Sequence, residues 1–342
     1  MGSKTLHNFE TNYLYKHMDI KRLVNVIDNN KGKPAEFLVQ GDVQIDPNGI
    51  RHDFYLSKVK TWRPRWQDYG HFFKQRNMVG DKAIGKERPL GLMLSNKNAR
   101  TKPVGVCYTA ASDLTEQVLP VYIEIEPYCN AVLEEHFYND ADIKIHRIVY
   151  VLREGATLRI IRDINLGGTH ETVQIIESDI IQHPASKLYI ETKSEIQDYL
   201  QDLYFVEASQ NTVTDIKGRY SAKEDNSIHV ITDIDHNGPD CSSNVDVRSV
   251  TDDKSRFTFS GNLTVRKEAE GADAHLKNKN LQLVDTATVI TEPKLDICTK
   301  EIACTHGCTV SSIDEDQLYL LNTRGIDSNN AKQILTEAFL NG

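Results

Sequence analysis

Two cysteines and a histidine occupy alternate positions near the end of the 342-residue sequence, at Cys304, His306 and Cys308. Side chains of an extended strand alternate between its two faces, so these three would project from one face. Successive members would lie about 6–7 Å apart, too far for all three to bind one ion without help. Thiolate and imidazole ligands suit iron and iron–sulfur fragments. The pattern predicts an incomplete metal site completed by a partner chain, or, alternatively, buried cysteines that pack as small side chains.

Other motifs for chemistry are absent from the sequence. Six cysteines are too few for a disulfide scaffold of this length, and no C-x-x-C pair suggests a zinc ribbon or a thioredoxin-type site. The sequence contains no G-x-x-x-x-G-K-[ST] phosphate loop, no G-x-S-x-G elbow and no H-E-x-x-H. We therefore do not expect an enzyme built on one of the common catalytic motifs.

The composition is that of a globular protein, with 39% hydrophobic and 26% charged residues. No apolar run approaches the roughly 20 residues that cross a bilayer, so we expect a soluble, cytoplasmic protein. The first 118 residues carry 19 Lys and Arg against 12 Asp and Glu, whereas the remainder carries 21 against 37. This acidic remainder makes broad nucleic-acid binding unexpected, because such binding needs a basic face.

The stretch from Lys58 to Arg76 interleaves aromatic and basic residues. Such a segment can stack on and neutralise a single nucleic-acid strand. It can equally form a domain surface or a face that docks a partner. We favour the second interpretation because no recognised nucleic-acid motif accompanies the stretch.

From about residue 119 the sequence consists of short segments with apolar residues at period two, bounded by Gly, Asn, Asp or Pro. Only 194–204 shows a helical pattern among them. Strands without crossover helices exclude a doubly wound α/β sheet and leave a sandwich, a barrel or a parallel β-helix. The number of strands favours a solenoid. The segments are 121–125, 144–151, 157–164, 172–181, 187–192, 227–234, 244–250, 256–259, 263–267 and 281–284.

The pattern becomes helical after Thr309. Ser312 and Glu315 match a capping box, and Gly325 stands where a left-handed helix end belongs. A second helix over roughly 328–340 is expected to bury Ile334, Leu335, Ala338 and Phe339, so that two short helices form a C-terminal cap. We therefore divide the chain into a mixed N-terminal region, a β-helix core and a C-terminal helical segment, at 1–118, 119–312 and 313–342.

The C-terminal third carries motifs that match a known family. They are Pro293–Ile297, Ala303–Val310, Asp314–Tyr319 and Thr323–Ile326, and upstream Asp235–Gly238, Cys241 and Phe259–Gly261 follow in the same order. Through these residues the sequence resembles the SufB/SufD family of iron–sulfur cluster assembly scaffold proteins, and within it the SufD side. The resemblance covers roughly residues 119–342.

The resemblance implies an all-β fold, with a right-handed parallel β-helix core, short C-terminal helices and a mixed N-terminal region. It also implies pairing through the β-helix with a SufB-like subunit or with a second copy. The C-terminal helices would dock a SufC-like ABC-type ATPase. His306 corresponds to the family's interface histidine, a ligand for iron or a nascent cluster, and Cys304 is its neighbour. Cys308 would be an extra thiol, so the predicted metal set is His306, Cys304 and Cys308.

Two departures separate this chain from SufB. Where SufB carries a cluster-ligand cysteine in a G-D-K-C-G stretch, this chain reads Val284-Asp-Thr-Ala287, and Gly307 replaces the acidic residue after the histidine. We therefore expect a SufD-like accessory scaffold that holds iron or a cluster transiently and only with a partner. The alternative is a structural β-helical assembly protein that keeps the fold and has lost the chemistry.

Overall fold

The computed structural model describes residues 43–44, 60–62, 90–94, 104–108, 116–137, 143–165, 173–196 and 199–342. In these ranges the chain forms two nine-stranded sheets that wind into a parallel solenoid of about six turns, followed by two short helices. Sheet 1 has the strand order β1-β4-β6-β8-β10-β12-β14-β16-β18, and sheet 2 has the order β2-β3-β5-β7-β9-β11-β13-β15-β17. The predicted all-β parallel β-helix is confirmed.

Successive strands alternate between the two sheets along the main run of the chain. Their bounds are β1 Val43–Gln44, β2 Lys60–Trp62, β3 Leu90–Leu94, β4 Val104–Tyr108, β5 Glu116–Ile125, β6 Asn130–Phe137, β7 Ile143–Leu152, β8 Thr157–Asn165, β9 Val173–Gln182, β10 Lys187–Ile196, β11 Tyr199–Ala208, β12 Val213–Ala222, β13 Ser227–His236, β14 Ser242–Thr251, β15 Arg256–Val265, β16 Ala272–Gln282, β17 Thr288–Ile297 and β18 Ile302–Ser311.

Each turn of the solenoid brings the chain back to the same sheet, where it adds the next strand. In the parallel ladders, residues that pair across neighbouring strands lie 26 to 32 residues apart in sequence. One corner repeats a left-handed residue in six successive turns, with φ between 54° and 75°. Each of these residues donates its backbone N–H to a carbonyl of the next corner at 2.7–3.0 Å, so the ladder continues around the bend. They are Tyr128, Gly155, Ala185, Asn211, Asp240 and Gly271.

The hydrophobic core lies between the two sheets and is filled by alternate residues of the strands from β5 to β16. Because the strands pair in register, equivalent inward residues stack into columns that run along the solenoid. The central column of sheet 1 is aliphatic and fully buried, which explains why these turns hold together without helices between the strands. Its members are Leu133, Ile160, Ile190, Ile216, Val245 and Leu276.

A neighbouring inward column contains a buried charged group. The Arg162 guanidinium lies 3.0 Å from the Glu135 carboxylate and 3.1 Å from that of Asp202, and all three side chains have no exposed surface. The Tyr204 and Tyr220 hydroxyls each donate to Asp202 at 2.6 Å. Burial raises the pKa of Asp202, while the charge of Arg162 opposes that shift. The charged and hydroxyl groups of this cluster are therefore satisfied by one another.

Two helices follow the last strand: α1, Glu315–Thr323, and α2, Ser328–Asn341. Both helices are confirmed, and Gly325 has φ 86° as expected of a left-handed helix end. The N-cap of α1 is Asp314, whose carboxylate accepts from the backbone N–H of Asp316 and Gln317, so the capping box at Ser312 was wrong. The Asp314 carboxylate lies directly before the first turn and competes for these N–H donors better than the Ser312 hydroxyl does.

The C-terminal helices pack against sheet 1 less deeply than the sequence suggested. The Arg248 guanidinium on β14 donates to the Phe339 carbonyl at 2.8 Å, and Ala331 is the fully buried residue of α2. Leu335 and Phe339 are only partly buried, and Ile334 is 44% exposed. The predicted burial of the whole apolar face of α2 was therefore wrong. Neither helix has the length or apolar content to cross a membrane.

The helix predicted over 194–204 was also wrong, because this range holds the end of β10 and the beginning of β11. In β11, residues 199–206 are buried on both faces of the strand, and continuous burial of alternating apolar and polar residues imitates a helical period. Hydrophobic periodicity in the N-terminal region also predicts a helix at Met18–Ile27 and short strands at Phe37–Val39 and Asp53–Leu56, and these ranges lie outside the described residues.

Candidate metal-ligand site

The three predicted ligand residues lie on β18, the last strand of sheet 1. Cys304 pairs in register with Ala274, His306 with Leu276 and Cys308 with Asn278 on β16. These three partners point into the core, so Cys304, His306 and Cys308 end three neighbouring inward columns. The prediction that the three side chains share one face of a strand is confirmed.

The inner face of β18 is open because no further turn follows it in the described chain. His306 is exposed, whereas Cys304 and Cys308 are partly buried. Burial raises the pKa of both thiols above the ordinary value. At neutral pH both cysteines are therefore protonated, and a metal must displace a proton to bind either of them.

The described residues do not form a metal site without a partner. No group of three His, Cys, Asp or Glu side chains in these ranges is placed to hold one ion. Alternate strand positions separate the two thiols from each other and from the imidazole, as the sequence spacing predicted. The chain thus carries separate soft ligands along an open edge strand. A partner would have to supply the remaining ligands of a coordination shell.

Three further cysteines, Cys129, Cys241 and Cys298, lie outside this strand. Cys129 is buried at the corner between β5 and β6, and burial raises the pKa of its thiol to about 11. Cys241 is buried at the corner before β14, where its sulfur lies 2.6 Å from the Ser209 carbonyl oxygen. Cys298 is exposed after β17. Cys129 and Cys241 therefore fit the structural interpretation, in which cysteine packs as a small hydrophobic side chain.

A second histidine, which was not among the predicted ligands, lies on the adjacent strand β16. The Nδ1 of His275 lies 2.6 Å from the Thr305 hydroxyl, and its Nε2 lies 2.8 Å from the Asp273 carboxylate. Asp273 and His275 stand at alternate positions of the sequence, and this spacing could have indicated that the two side chains share one face of a strand. These side chains occupy the outer face of sheet 1, opposite to His306, so they belong to a separate polar cluster.

Comparison with known proteins identifies the family. The model of the SufBD core domain, described as SUF system FeS cluster assembly, matches residues 107–339, which include nearly the whole solenoid and both helices. The chain belongs to the SufB/SufD family. Within this SufB/SufD protein, the matched range contains all three candidate ligands.

Individual relatives agree with this assignment. The iron–sulfur cluster assembly protein SufD of Escherichia coli is 33% identical over 138 residues, which cover 38% of this chain and 33% of that protein. A SufBD family protein of Synechocystis is 31% identical over 103 residues, covering 30% of this chain and 23% of that protein. SufB of Bacillus subtilis is 28% identical over 105 residues, covering 31% and 23%. The chain thus matches a third or less of each relative's length.

Proposed function

We propose that this chain is a SufD-like accessory scaffold subunit of iron–sulfur cluster assembly, without enzymatic activity of its own. It would contribute His306 and Cys304, with Cys308 as an additional thiol, to iron or a nascent cluster held at a subunit interface. The observation that carries this proposal is the position of all three side chains on the inner face of an open edge strand. Iron and sulfide are cargo in this scheme and are passed on.

The open end of the solenoid supports pairing with another β-helix. Strands β17 and β18 are the last strands of their sheets and expose backbone hydrogen-bonding groups to the next strand that arrives. Ile297 on β17 and Val310 on β18 are 41% and 50% exposed, so the edge is also apolar. A SufB-like subunit, or a second copy of this chain, would extend both sheets and bring its own ligands to the inner face of β18.

The C-terminal helices offer a second surface, for a SufC-like ABC-type ATPase. Tyr319 and Leu320 of α1 are 71% and 52% exposed, and Ile334 of α2 is 44% exposed. Helix α2 packs on β14 through Arg248, which leaves these apolar residues turned away from the solenoid. Exposed apolar residues on a short helix pair are typical of a protein-binding surface.

Protonation of the Cys304 and Cys308 thiols would make iron binding at this site depend on the pH and on the partner. Both thiols carry raised pKa values, so the isolated chain competes poorly for iron at neutral pH. Ligands from the partner and exclusion of water at the interface would favour metal binding, and binding would weaken as the pH falls. This arrangement supports transient loading of the complex rather than a resident metal in the single chain.

The test is anaerobic reconstitution with iron and sulfide of the chain alone and of the chain co-expressed with a SufB-type subunit and a SufC-type ATPase. We expect visible cluster absorbance and bound iron in the complex, and little of either in the isolated chain. His306→Ala should lower iron incorporation several-fold while the complex remains assembled. Cys304→Ser should have a similar or smaller effect, and Cys308→Ala little effect.

The matched control is His275→Ala, which removes an imidazole from the outer face of the neighbouring strand. It should leave iron incorporation unchanged. If the His306→Ala complex incorporates as much iron as the parent complex, the histidine has no ligand role. The structural assembly protein that keeps the fold without the chemistry would then be the better account.

A further inference from the structure

Two asparagine side chains lie inside the solenoid next to the strand that carries the candidate ligands. Asn278 and Asn280 stand on the inner face of β16, and neither has any exposed surface. They are the register partners of Cys308 and Val310 on β18. On the inner faces of the strands that the structure describes, asparagine occurs at these two positions alone. We call Asn278 and Asn280 the amide pair.

The amide pair links three neighbouring strands of sheet 1 from the inside. Asn278 Nδ2 donates to the Val247 carbonyl on β14 at 3.1 Å. Asn280 Nδ2 donates to Asn278 Oδ1 at 2.7 Å and to the Thr309 carbonyl on β18 at 3.0 Å. The Ser249 hydroxyl on β14 donates to Asn280 Oδ1 at 2.7 Å. The amide pair therefore ties the backbone of β18 to the backbone of β14 across β16.

Earlier turns of the solenoid fold without amides at these positions. One turn before the amide pair, the same two columns hold Val247 and Ser249, and two turns before it they hold Gly218 and Tyr220. A buried amide loses its hydration and recovers only the hydrogen bonds that it forms, so apolar side chains would fill the space at similar stability. The general needs of the core therefore do not explain the amide pair.

The place of the amide pair, one strand before the open end, indicates a different role. Strand β18 is the last strand of sheet 1 and has a ladder partner on one side only within the described chain. Such peripheral elements open more readily than the centre of a fold. The bond from Asn280 to the Thr309 carbonyl is a second attachment of β18, in addition to its backbone ladder. Thr309 directly follows Cys308 and lies three residues after His306, so this attachment is close to the candidate ligands.

We infer that Asn278 and Asn280 are positioning residues that hold β18 in place at the open end, so that His306 and Cys308 keep their positions before a partner arrives. The inference rests on the proposed function for the ligand role of β18, and it adds the residues that fix the ligand strand. Neither amide contacts the cargo in this scheme, because both side chains lie on β16 without exposed surface. They act on the ligands through the backbone of Thr309.

Hydrogen–deuterium exchange of the isolated full-length chain tests the attachment without iron or a partner. The double variant N278V/N280V replaces the amide pair with apolar residues that favour strands and leaves no unpaired amide. We expect exchange in a peptide that covers 302–311 to become at least about 10-fold faster relative to a peptide that covers 213–222, because β18 loses its inner hydrogen bonds. An unchanged ratio of the two exchange rates would overturn the inference.

A second variant keeps the test decisive if the double variant does not fold. Asn280→Asp preserves the size of the side chain and the acceptor for Ser249, but it has no amide hydrogens for Asn278 and Thr309. It should also accelerate exchange selectively in 302–311. An equal acceleration of 302–311 and 213–222 in this variant would show that the amides support the whole solenoid, and a specific role at β18 would be wrong.

The matched control is Ser249→Ala, which removes a hydroxyl from the same network on the β14 side. It leaves both hydrogen bonds that Asn280 donates, to Asn278 and to Thr309. The ratio of exchange rates should therefore remain at the parental value. If Ser249→Ala accelerates exchange in 302–311 as much as N278V/N280V does, the attachment to Thr309 is not what holds β18.

Iron incorporation by the complex with a SufB-type subunit and a SufC-type ATPase is a readout that a purely structural role would not change. A mobile β18 loses more conformational entropy when His306 binds a metal, so the N278V/N280V complex should incorporate at least about 3-fold less iron than the parent complex. The Ser249→Ala complex should match the parent. Equal iron incorporation by a variant with faster exchange in β18 would overturn the positioning role. If the parent complex itself takes up no iron, the proposed function fails, whereas the exchange ratio still decides whether the amide pair holds β18.

Discussion

His306 is the register partner of Leu276, so an imidazole occupies the position that six preceding turns fill with an aliphatic side chain. Inside the solenoid, a histidine at this position would lose its hydration without a hydrogen-bond partner, which costs about 1–3 kcal/mol. At the open end the ring stays exposed and avoids that cost. A partner that closes this end must therefore provide the ring with a hydrogen bond or a metal.

Replacing His306 by leucine should extend the aliphatic column by one turn. We expect the free energy of unfolding to rise by about 1 kcal/mol, because leucine adds apolar contact with Leu276. Urea unfolding followed by circular dichroism measures this change. The control Thr305→Leu lies on the outer face of the same strand and should give no gain. A loss of stability in His306→Leu would show that the imidazole makes contacts that support the fold.

The buried charge cluster should make Arg162 far more sensitive to substitution than its neighbours. Arg162→Met leaves Glu135 and Asp202 without their cation in the core, so we expect a loss of about 3–5 kcal/mol in unfolding free energy. Arg159→Met removes a half-exposed ion pair from the same strand and should change stability by less than about 1 kcal/mol. Chemical denaturation of both variants compares them, and equal losses would contradict the prediction.

His236 should make the fold sensitive to mild acid. Burial lowers the pKa of His236 to about 4, against 6.5 for an exposed histidine, and the ring contacts the Ser243 hydroxyl at 2.9 Å. Between these pH values His236 is protonated in the unfolded chain and neutral in the folded chain. The contribution of His236 to the unfolding free energy is therefore present above pH 6.5 and is lost as the pH falls toward 4. We expect this group to account for about 2–3 kcal/mol of that loss.

The measurement is the unfolding free energy at pH 7 and pH 4.5 for the parent chain and for His236→Asn, which cannot gain this proton. The pH dependence should be smaller in His236→Asn than in the parent chain. His275→Asn, at a half-exposed imidazole, should retain the parental dependence. An unchanged slope in His236→Asn would show that other groups cause the acid sensitivity.

The proposed pairing through the open end should be blocked by a charge at the edge. Val310→Lys places an ammonium group on the inner face of β18, where an arriving strand would bury it. We expect the dissociation constant for a SufB-type subunit to rise by at least 10-fold in analytical ultracentrifugation. Ile161→Lys makes the same change on the exposed outer face of sheet 1 and should leave the affinity unchanged. Equal binding by both variants would place the interface elsewhere.

Local sequence patterns were sufficient for some features and failed for others. Period-two alternation predicted β8 well, because Leu158, Ile160 and Ile164 face the core, whereas the alternate residues 159, 161 and 163 are exposed. The same reasoning failed at β11, where Leu203 and Phe205 are buried on the outer face in addition to the inner residues. A strand that is covered on both faces loses the alternation that distinguishes it from a helix.

The sequence by itself determined that Cys304, His306 and Cys308 share one face, that strands dominate the core and that two helices end the chain. Only the tertiary structure decided that this face is the inner one, that His306 continues the column of Leu276, and that Arg162 meets Asp202. These relationships join residues about 30 or 40 positions apart. Alternation along a strand is a local property of the backbone, whereas register between turns depends on the length of every corner that separates them.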